Sequence, residues 1–523
     1  MTAGATIVVI GDAVLDLDVL GSADRLAPDA PVPVLDVTGE RARPGGAGLA
    51  AALLAAAGEP TVLVTALSPD PDGKRLRALL EPAVTVLTGP AEGGTAVKTR
   101  MWADGRSLLR ADRGAGRPGT GFGAAVAGPL DAALAGAAAV LVSDYGRGVA
   151  ADPQVRAALQ RALARGVPVV WDPHPRGAEP VPDTTVVTPN LAEAVAAAGS
   201  AARAPAGAVP AGLAAAGRLL ERWPCRAAAV TIGEHGAVVA HRHGARAALP
   251  APAVEGGDRC GAGDAFAGRL AALLGTGATV DDAVHGAVLT AAAFVARGGA
   301  AAFDGAAVDR AAADGTGEPS TAGQGAAGAA PDAAPVREAA RPEPADLAAA
   351  RALVDRVRAD GGTVVASGGC FDLLHTGHSR TLAAARALGD CLVVLLNSDA
   401  SVRRLKGPDR PIVTAPERAE LLLALGCVDA VVIFEEDDPC AVLDRLRPDL
   451  WVKGGDYDPA ALPETALVRS WGGEVAAVPY RPDRSTTRLL EVAARSAGSA
   501  GSAGSAAASR ARDRGLPRRL EQR

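Results

Sequence analysis

The sequence predicts an α/β protein made of two separate blocks joined by a flexible linker. Three observations carry that expectation. The chain has 523 residues, about three times the ~150 residues typical of one domain, so two or three domains are expected. Short apolar runs alternate with Ala/Leu-rich helical stretches over residues 1–304 and again over 345–495, the pattern of mainly parallel sheets covered by helices. Between them, residues 305–344 are rich in Ala, Gly, Pro, Thr and Ser and hold no apolar period, as a linker does.

In the first block the clearest strands are expected at residues 6–10, 60–65, 138–143, 168–171, 185–188 and 227–232. Helices are expected at 46–57, 153–165 and 211–223. The second block opens with a helix over 345–359. Strands follow at 363–367, 391–396, 430–434, 450–453 and 474–478. Residues 496–523 are low in complexity, with Ser-Ala-Gly triplets and an Arg-rich end, and read as a solvated tail.

Composition narrows the function. Lys+Arg 53 against Asp+Glu 59 leaves a net charge of −6, which argues against general nucleic-acid binding. No uncharged apolar run reaches the ~18 residues of a membrane span, and the N-terminus lacks the basic region of a signal peptide. The six cysteines are scattered, with no CxxC pair. Free thiols in a reducing cytoplasm are expected, and no Cys/His spacing suits zinc. Partners are therefore expected to be small molecules rather than nucleic acid or membrane.

The strongest motif of the first block is Gly261-Ala262-Gly263-Asp264 before a helical run. Glycines at a helix start let backbone N–H groups converge on an anion, and the helix dipole adds positive potential. Asp264 there is placed to take a proton from an attacking hydroxyl. An ordinary capped helix fits the same four residues. Asp12 and Asp16 follow the first strand, where carboxylates can grip sugar hydroxyls or simply make a turn. Gly45 and Gly46 precede a helix, so bare backbone can approach a ligand. Asn190, Leu191, Ala192 and Glu193 end a strand and open a helix; Glu193 could orient water around Mg²⁺, or the four could be a capping box. Thr231 and Gly233 mark a strand and tight turn, either a nucleotide shelf or a hairpin.

Together and in this order these pieces resemble the ribokinase-type (PfkB) carbohydrate kinases over residues 6–304. The resemblance implies a ribokinase-like α/β fold, with Asp264 as catalytic base and Gly261, Ala262 and Gly263 as anion hole. It places ATP and Mg²⁺ at Asn190–Glu193, and the sugar at Asp12, Asp16, Gly45 and Gly46. Lys98, Arg100 and Arg110 become candidates for a phosphate already on the sugar. The stretches GDAVLDLDVLGSADRLAPDAPVPVLDV, RPGGAG, LVSDYGRGV and TPNLAEA look like the heptose 7-phosphate kinase branch. Two departures stand out: Leu49 replaces a usual Asn that helps hold the sugar, and Cys260 replaces a usual Thr.

The second block carries Gly368-Gly369-Cys370-Phe371-Asp372-Leu373-Leu374-His375-Thr376-Gly377-His378 between a strand and a helix. Two histidines around a glycine at a helix N-terminus can donate to phosphate oxygens and stabilise charge as pyrophosphate leaves. The spacing is not that of a helical zinc pair. This run resembles the HxGH signature of the nucleotidyltransferase superfamily, which implies a Rossmann-like α/β domain. By that resemblance His375, His378 and Lys406 act on the triphosphate. Gly369, Cys370, Phe371, Asp399, Lys453, Asp456, Ser485, Thr486 and Thr487 contact the nucleotide or sugar phosphate.

A phosphosugar kinase joined to an HxGH transferase resembles the bifunctional heptose 7-phosphate kinase / heptose 1-phosphate adenylyltransferases. That resemblance implies ATP as substrate, Mg²⁺ as cofactor, ADP-heptose as product, and a homo-oligomer is expected. Leu49 leaves open a chain in which only the transferase survives. The same motifs suit another phosphosugar, or CTP in place of ATP. Intact Asp264, His375 and His378 argue against a sensor without turnover.

Overall fold

The computed structural model describes residues 6–199, 207–254, 256–303, 344–454 and 462–478. Residues 305–343 of the expected linker, the 496–523 tail, and Asp456, Ser485, Thr486 and Thr487 lie outside these residues.

In the first block seven strands run parallel, in the order Thr85–Gly89, Thr61–Ala66, Thr6–Gly11, Ala137–Ser143, Val169–Asp172, Val186–Val187 and Ala227–Thr231. Ala237–His241 and Arg246–Leu249 continue the sheet antiparallel. Both faces are covered, so the central strands are apolar throughout rather than alternating with polar residues. Val8, Ile10, Val140 and Val142 face a layer that contains the helices Phe122–Ala135, Pro153–Ala164 and Ala208–Arg222. Ile7, Val9, Ala139 and Leu141 face Ala47–Ala56, Ala262–Gly275 and Val280–Ala296. The helix boundaries follow local chemistry. Asp152 accepts from the N–H groups of Gln154 and Val155 with Pro153 next, starting its helix as an N-cap should.

A second sheet, unanticipated from sequence, stands off this body. Its strands are Pro33–Gly46, Ala13–Leu26, Val97–Ala103 and Arg106–Arg113, in that order. Ala13–Leu26 is buried over its first residues and increasingly exposed toward its end, so it carries the chain out from the body into a lid.

Among the described residues the second block holds a five-stranded parallel sheet in the order Ala430–Phe434, Cys391–Asn397, Val364–Gly369, Leu450–Gly454 and Glu474–Val478. The strand order reverses at Val364–Gly369. Ligands of open α/β sheets bind at such a switch point, beyond the carboxyl ends of the strands, and the Gly368–His378 run leaves from that end. Arg246–Leu249 lies parallel to Glu474–Val478 with Ala247 opposite Ala477, so fourteen strands are continuous across both blocks. Arg246 and Glu474 form an ion pair at this junction. The short strand Arg-Ala-Ala-Leu has no pattern that announces such a junction. All six cysteines are free, and no described helix is long and apolar enough to cross a membrane.

Candidate active sites

Gly261 takes φ +79, a left-handed conformation that favours glycine, and turns the chain into the helix Ala262–Gly275. No side chain caps this helix, which leaves first-turn N–H groups without intrahelical acceptors. Gly263 faces open space: a Cβ there would meet no atom within 4 Å. Asp264 is 6% exposed. The Tyr145 hydroxyl donates to both of its oxygens, at 3.0 and 3.1 Å. Burial pushes the Asp264 carboxyl up to about 7, opposed by the Tyr145 hydrogen bond and the Lys98 charge and assisted by Asp16. A carboxyl tuned there suits a general base near neutral pH.

Beside it, Asp12 is buried, and its two oxygens accept from the backbone N–H groups of Tyr145, Arg147 and Val149. It anchors the loop that carries Tyr145. Asp16 is also buried. Its Oδ2 lies 3.4 Å from Arg100 and 3.9 Å from Arg43, while its Oδ1 has no hydrogen-bond partner among the described residues. Gly45 permits this: a Cβ there would sit 2.8 Å from the Asp16 carboxyl carbon. Gly46, at φ +59, would place one 2.5 Å from the Asp12 carbonyl oxygen. Lys98 rides 4.8 Å above the Tyr145 ring. Burial pulls its ammonium below the ordinary value, Asp16 opposes that, and the charges of Arg110, Arg147 and Arg100 add to it. Arg110 forks onto Asp112 at 2.8 and 2.6 Å on an exposed lid strand. Lys98, Arg100 and Arg110 are thus brought to one side of Asp16. A cavity of about 590 Å³ opens between lid and body, lined by Asp18, Arg41, Arg43, Arg100, Trp102 and Cys260 among others. Leu49 is buried and packs with Ala265, Phe294 and Ala300 under the Gly261 turn.

On the other side of the helix start, a cavity of about 320 Å³ is lined by Thr231, Gly233, Ala262, Gly263 and Phe266, with Val254, Val288, Ala291 and Val295. Its apolar walls suit a flat ring. Thr231 and Gly233 also belong to a hairpin, in which Thr231 pairs with Ala237. Asn190 pairs with Thr231 through a parallel bridge. Asn190 and Glu193 form a reciprocal capping box, each bond at 3.0 Å, with Leu191 and Ala192 in its first turn. Burial raises the Glu193 carboxyl. Asp172, which carried no sequence signal, accepts from Thr188 at 2.9 Å; burial and then the Asp264 charge push it well up.

In the second block His375 caps the helix Thr376–Arg386, its Nδ1 accepting from the Gly377 N–H at 3.1 Å. The rings of His375 and His378 stack at 3.9 Å, and Phe371 meets His378 edge-on at 5.2 Å. Phe371 holds φ +44, a strained value for a bulky residue. A Cβ on Gly369 would come within 3.4 Å of its ring. Burial, then the His375 and Lys406 charges, push His378 down to about 4, so it is neutral near pH 7. Its Nδ1 has no partner among the described residues.

Arg418, in an ordinary amphipathic helix and not singled out by sequence, is fully buried. It binds Asp399 at 2.7 Å, the Val413 carbonyl at 2.9 Å and the Cys370 carbonyl. Asp399 is therefore tied to the loop under the histidines. Asp372 ion-pairs with Arg410. Lys453 lies 3.6 Å from Glu464 and 5.0 Å above the Trp451 ring.

Comparison with known proteins agrees with both halves. Residues 5–304 match the pfkB family carbohydrate kinase model, and residues 366–491 match the cytidylyltransferase-like model. The bifunctional protein HldE of Streptomyces coelicolor is 49% identical over 492 residues, covering 94% of this chain and 97% of that protein. The chain belongs to the HldE family. The HldE of Paramagnetospirillum magneticum is 37% identical, covering 93% of this chain and 96% of its own. Among solved structures, Arabidopsis thaliana ribokinase complexed with ribose and ATP is 20% identical, with a TM-score of 0.44, over 59% of this chain and 98% of that one. Escherichia coli phosphofructokinase-2 in complex with fructose-6-phosphate is 18% identical, with a TM-score of 0.47, over 57% and 95%. This HldE family member is a carbohydrate kinase joined to a nucleotidyltransferase.

Proposed function

We propose that the chain makes ADP-heptose in two of its steps. The first block phosphorylates O1 of D-glycero-β-D-manno-heptose 7-phosphate with ATP. The second joins heptose 1-phosphate to AMP from ATP and releases pyrophosphate. The observation that carries the first step is Asp264, buried at an uncapped helix start between a nucleotide-sized cavity and a cationic lid. Asp264 takes the O1 proton as O1 attacks the γ-phosphorus, and ADP leaves. Gly261, Ala262 and Gly263 hold the transferred group. Thr231 and Gly233 border the base, and Asn190 to Glu193 border the phosphates. Asp16, Gly45 and Gly46 face the sugar, with Asp12 fixing the neighbouring loop. Lys98, Arg100 and Arg110 take the 7-phosphate.

Mg²⁺ fits this site only in part. Among the described residues no three His, Cys, Asp or Glu side chains gather into a metal site. Mg²⁺ commonly keeps several waters and is held by one or two carboxylates plus substrate phosphates, and half-buried Glu193 is the carboxylate for that. When bound, it supplies charge neutralisation at the phosphates.

In the second block, an oxygen of heptose 1-phosphate attacks the α-phosphorus in line, so no covalent nucleophile is needed. Neutral His378, His375 and Lys406 steady the departing pyrophosphate, and Gly369 to Phe371 shape the floor. Asp399 and Lys453, with Asp456, Ser485, Thr486 and Thr487 outside the described residues, border the nucleotide. Leu26, Val37 and Leu109, exposed on the lid, support a homo-oligomer. The test is direct. The purified chain is given ATP with heptose 7-phosphate, then ATP or CTP with heptose 1-phosphate. ADP in the first reaction and ATP-dependent pyrophosphate in the second are expected; CTP preference or no ADP refutes the assignment.

A further inference from the structure

We propose that Tyr145 is a positioning residue of the kinase site, its phenol holding the Asp264 carboxylate in place and in its proton-accepting form. This rests on the reading of Asp264 as the base. The hydroxyl meets both carboxylate oxygens, at 3.0 and 3.1 Å. Sharing one proton between them leaves lone pairs on each oxygen for the incoming sugar hydroxyl.

The ring that carries this hydroxyl is fixed from several sides. Its backbone N–H donates to Asp12 at 3.1 Å. Lys98 lies 4.8 Å above the ring centroid, and the His174 ring lies 6.5 Å away. Gly46 makes room: a Cβ there would reach 3.3 Å from the ring. Three separated stretches of chain thus meet the ring and a fourth, at Asp12, holds its backbone, while the hydroxyl reaches Asp264.

The charges around the base give this contact a chemical consequence. Lys98, on a lid strand, favours the ionised carboxylate, whereas Asp16 disfavours it and Asp172 lies near enough to be raised by it. Burial also favours the neutral acid. A hydrogen bond donated to a carboxylate favours the charged form. Tyr145 and Lys98 are therefore the two groups that keep Asp264 ready to accept a proton. Burial raises the phenol itself well above its ordinary value, so it remains a donor throughout the working pH range.

Tyr145→Phe deletes only the hydroxyl. The acid limb of the kinase kcat/KM profile should move up by about one pH unit. Activity should fall roughly tenfold below pH 6.5 and far less above pH 9, with KM for ATP unchanged. An unmoved limb, or an equal loss at every pH, overturns the proposal. If the variant is too weak to profile, infrared spectroscopy of the substrate-free protein decides. The protonated-carboxyl band lost in Asp264→Asn should titrate at higher pH in Tyr145→Phe than in the parent; an unchanged titration overturns the proposal. Asp264→Asn separates the two ideas. If it keeps kinase activity, the base reading fails. If it abolishes activity while the Tyr145→Phe limb stays put, only the role of Tyr145 fails.

Discussion

Arg418→Met should unsettle the transferase block more than any change at its surface. Arg418 is fully buried and is the shared partner of Asp399, the Val413 carbonyl and the Cys370 carbonyl. Methionine roughly keeps the bulk but leaves the Asp399 carboxylate and both carbonyls without that partner. Removing one member of a buried ion pair costs about 3–5 kcal/mol. The Asp399 side chain retains 29% exposure, which favours the lower end, about 3 kcal/mol. For a block of this size that corresponds to a loss of roughly 10 °C in its thermal transition. Calorimetry of the full chain reads it. Transferase turnover should fall too, because the Cys370 carbonyl lies in the run between Gly369 and His375. Arg418→Lys should recover the charge but only part of the loss, since an ammonium cannot reproduce a three-way fork. A shift of under about 2 °C for Arg418→Met would refute the view that this one side chain ties the loops together.

The Asp264 carboxyl sets two further outcomes. Kinase kcat/KM should rise through about pH 7 and level off above it, as the base loses its proton. Because its folded value lies above the unfolded one of 3.8, the stability it lends is full in acid and is lost as pH rises toward about 7. Asp264→Asn should therefore lose kinase activity yet melt higher than the parent at pH 8, which thermal scans across pH would show. Gly45→Ala puts a methyl 2.8 Å from the Asp16 carboxyl carbon and should cut kinase kcat/KM about 100-fold while leaving the transferase rate intact, as parallel assays of both activities would reveal.

Much of this molecule was legible because phosphate chemistry leaves local marks. Glycines at helix starts, a carboxylate beside them and the paired histidines all sit in short runs. The parallel strands were equally visible, being apolar on both faces, as with Thr6–Gly11 and Cys391–Asn397. The lid was missed for a physical reason. Its strand Arg106–Arg113 is exposed along its length, and Leu15-Asp16-Leu17-Asp18 alternates as a strand should but buries its aspartates as well. Tyr145 and Arg418 were missed because their meaning is tertiary: Tyr145 reaches Asp264 and Arg418 reaches Cys370, across gaps that no spacing rule covers. Asn190 and Glu193 show the converse, a sequence signal for which the structure shows the capping box.

The most direct test of the account is to assay both half-reactions in Asp264→Asn and His375→Ala. Asp264→Asn should abolish ADP formation from heptose 7-phosphate and keep pyrophosphate release. His375→Ala should do the reverse. Loss of both activities in either well-folded variant would contradict two separate sites.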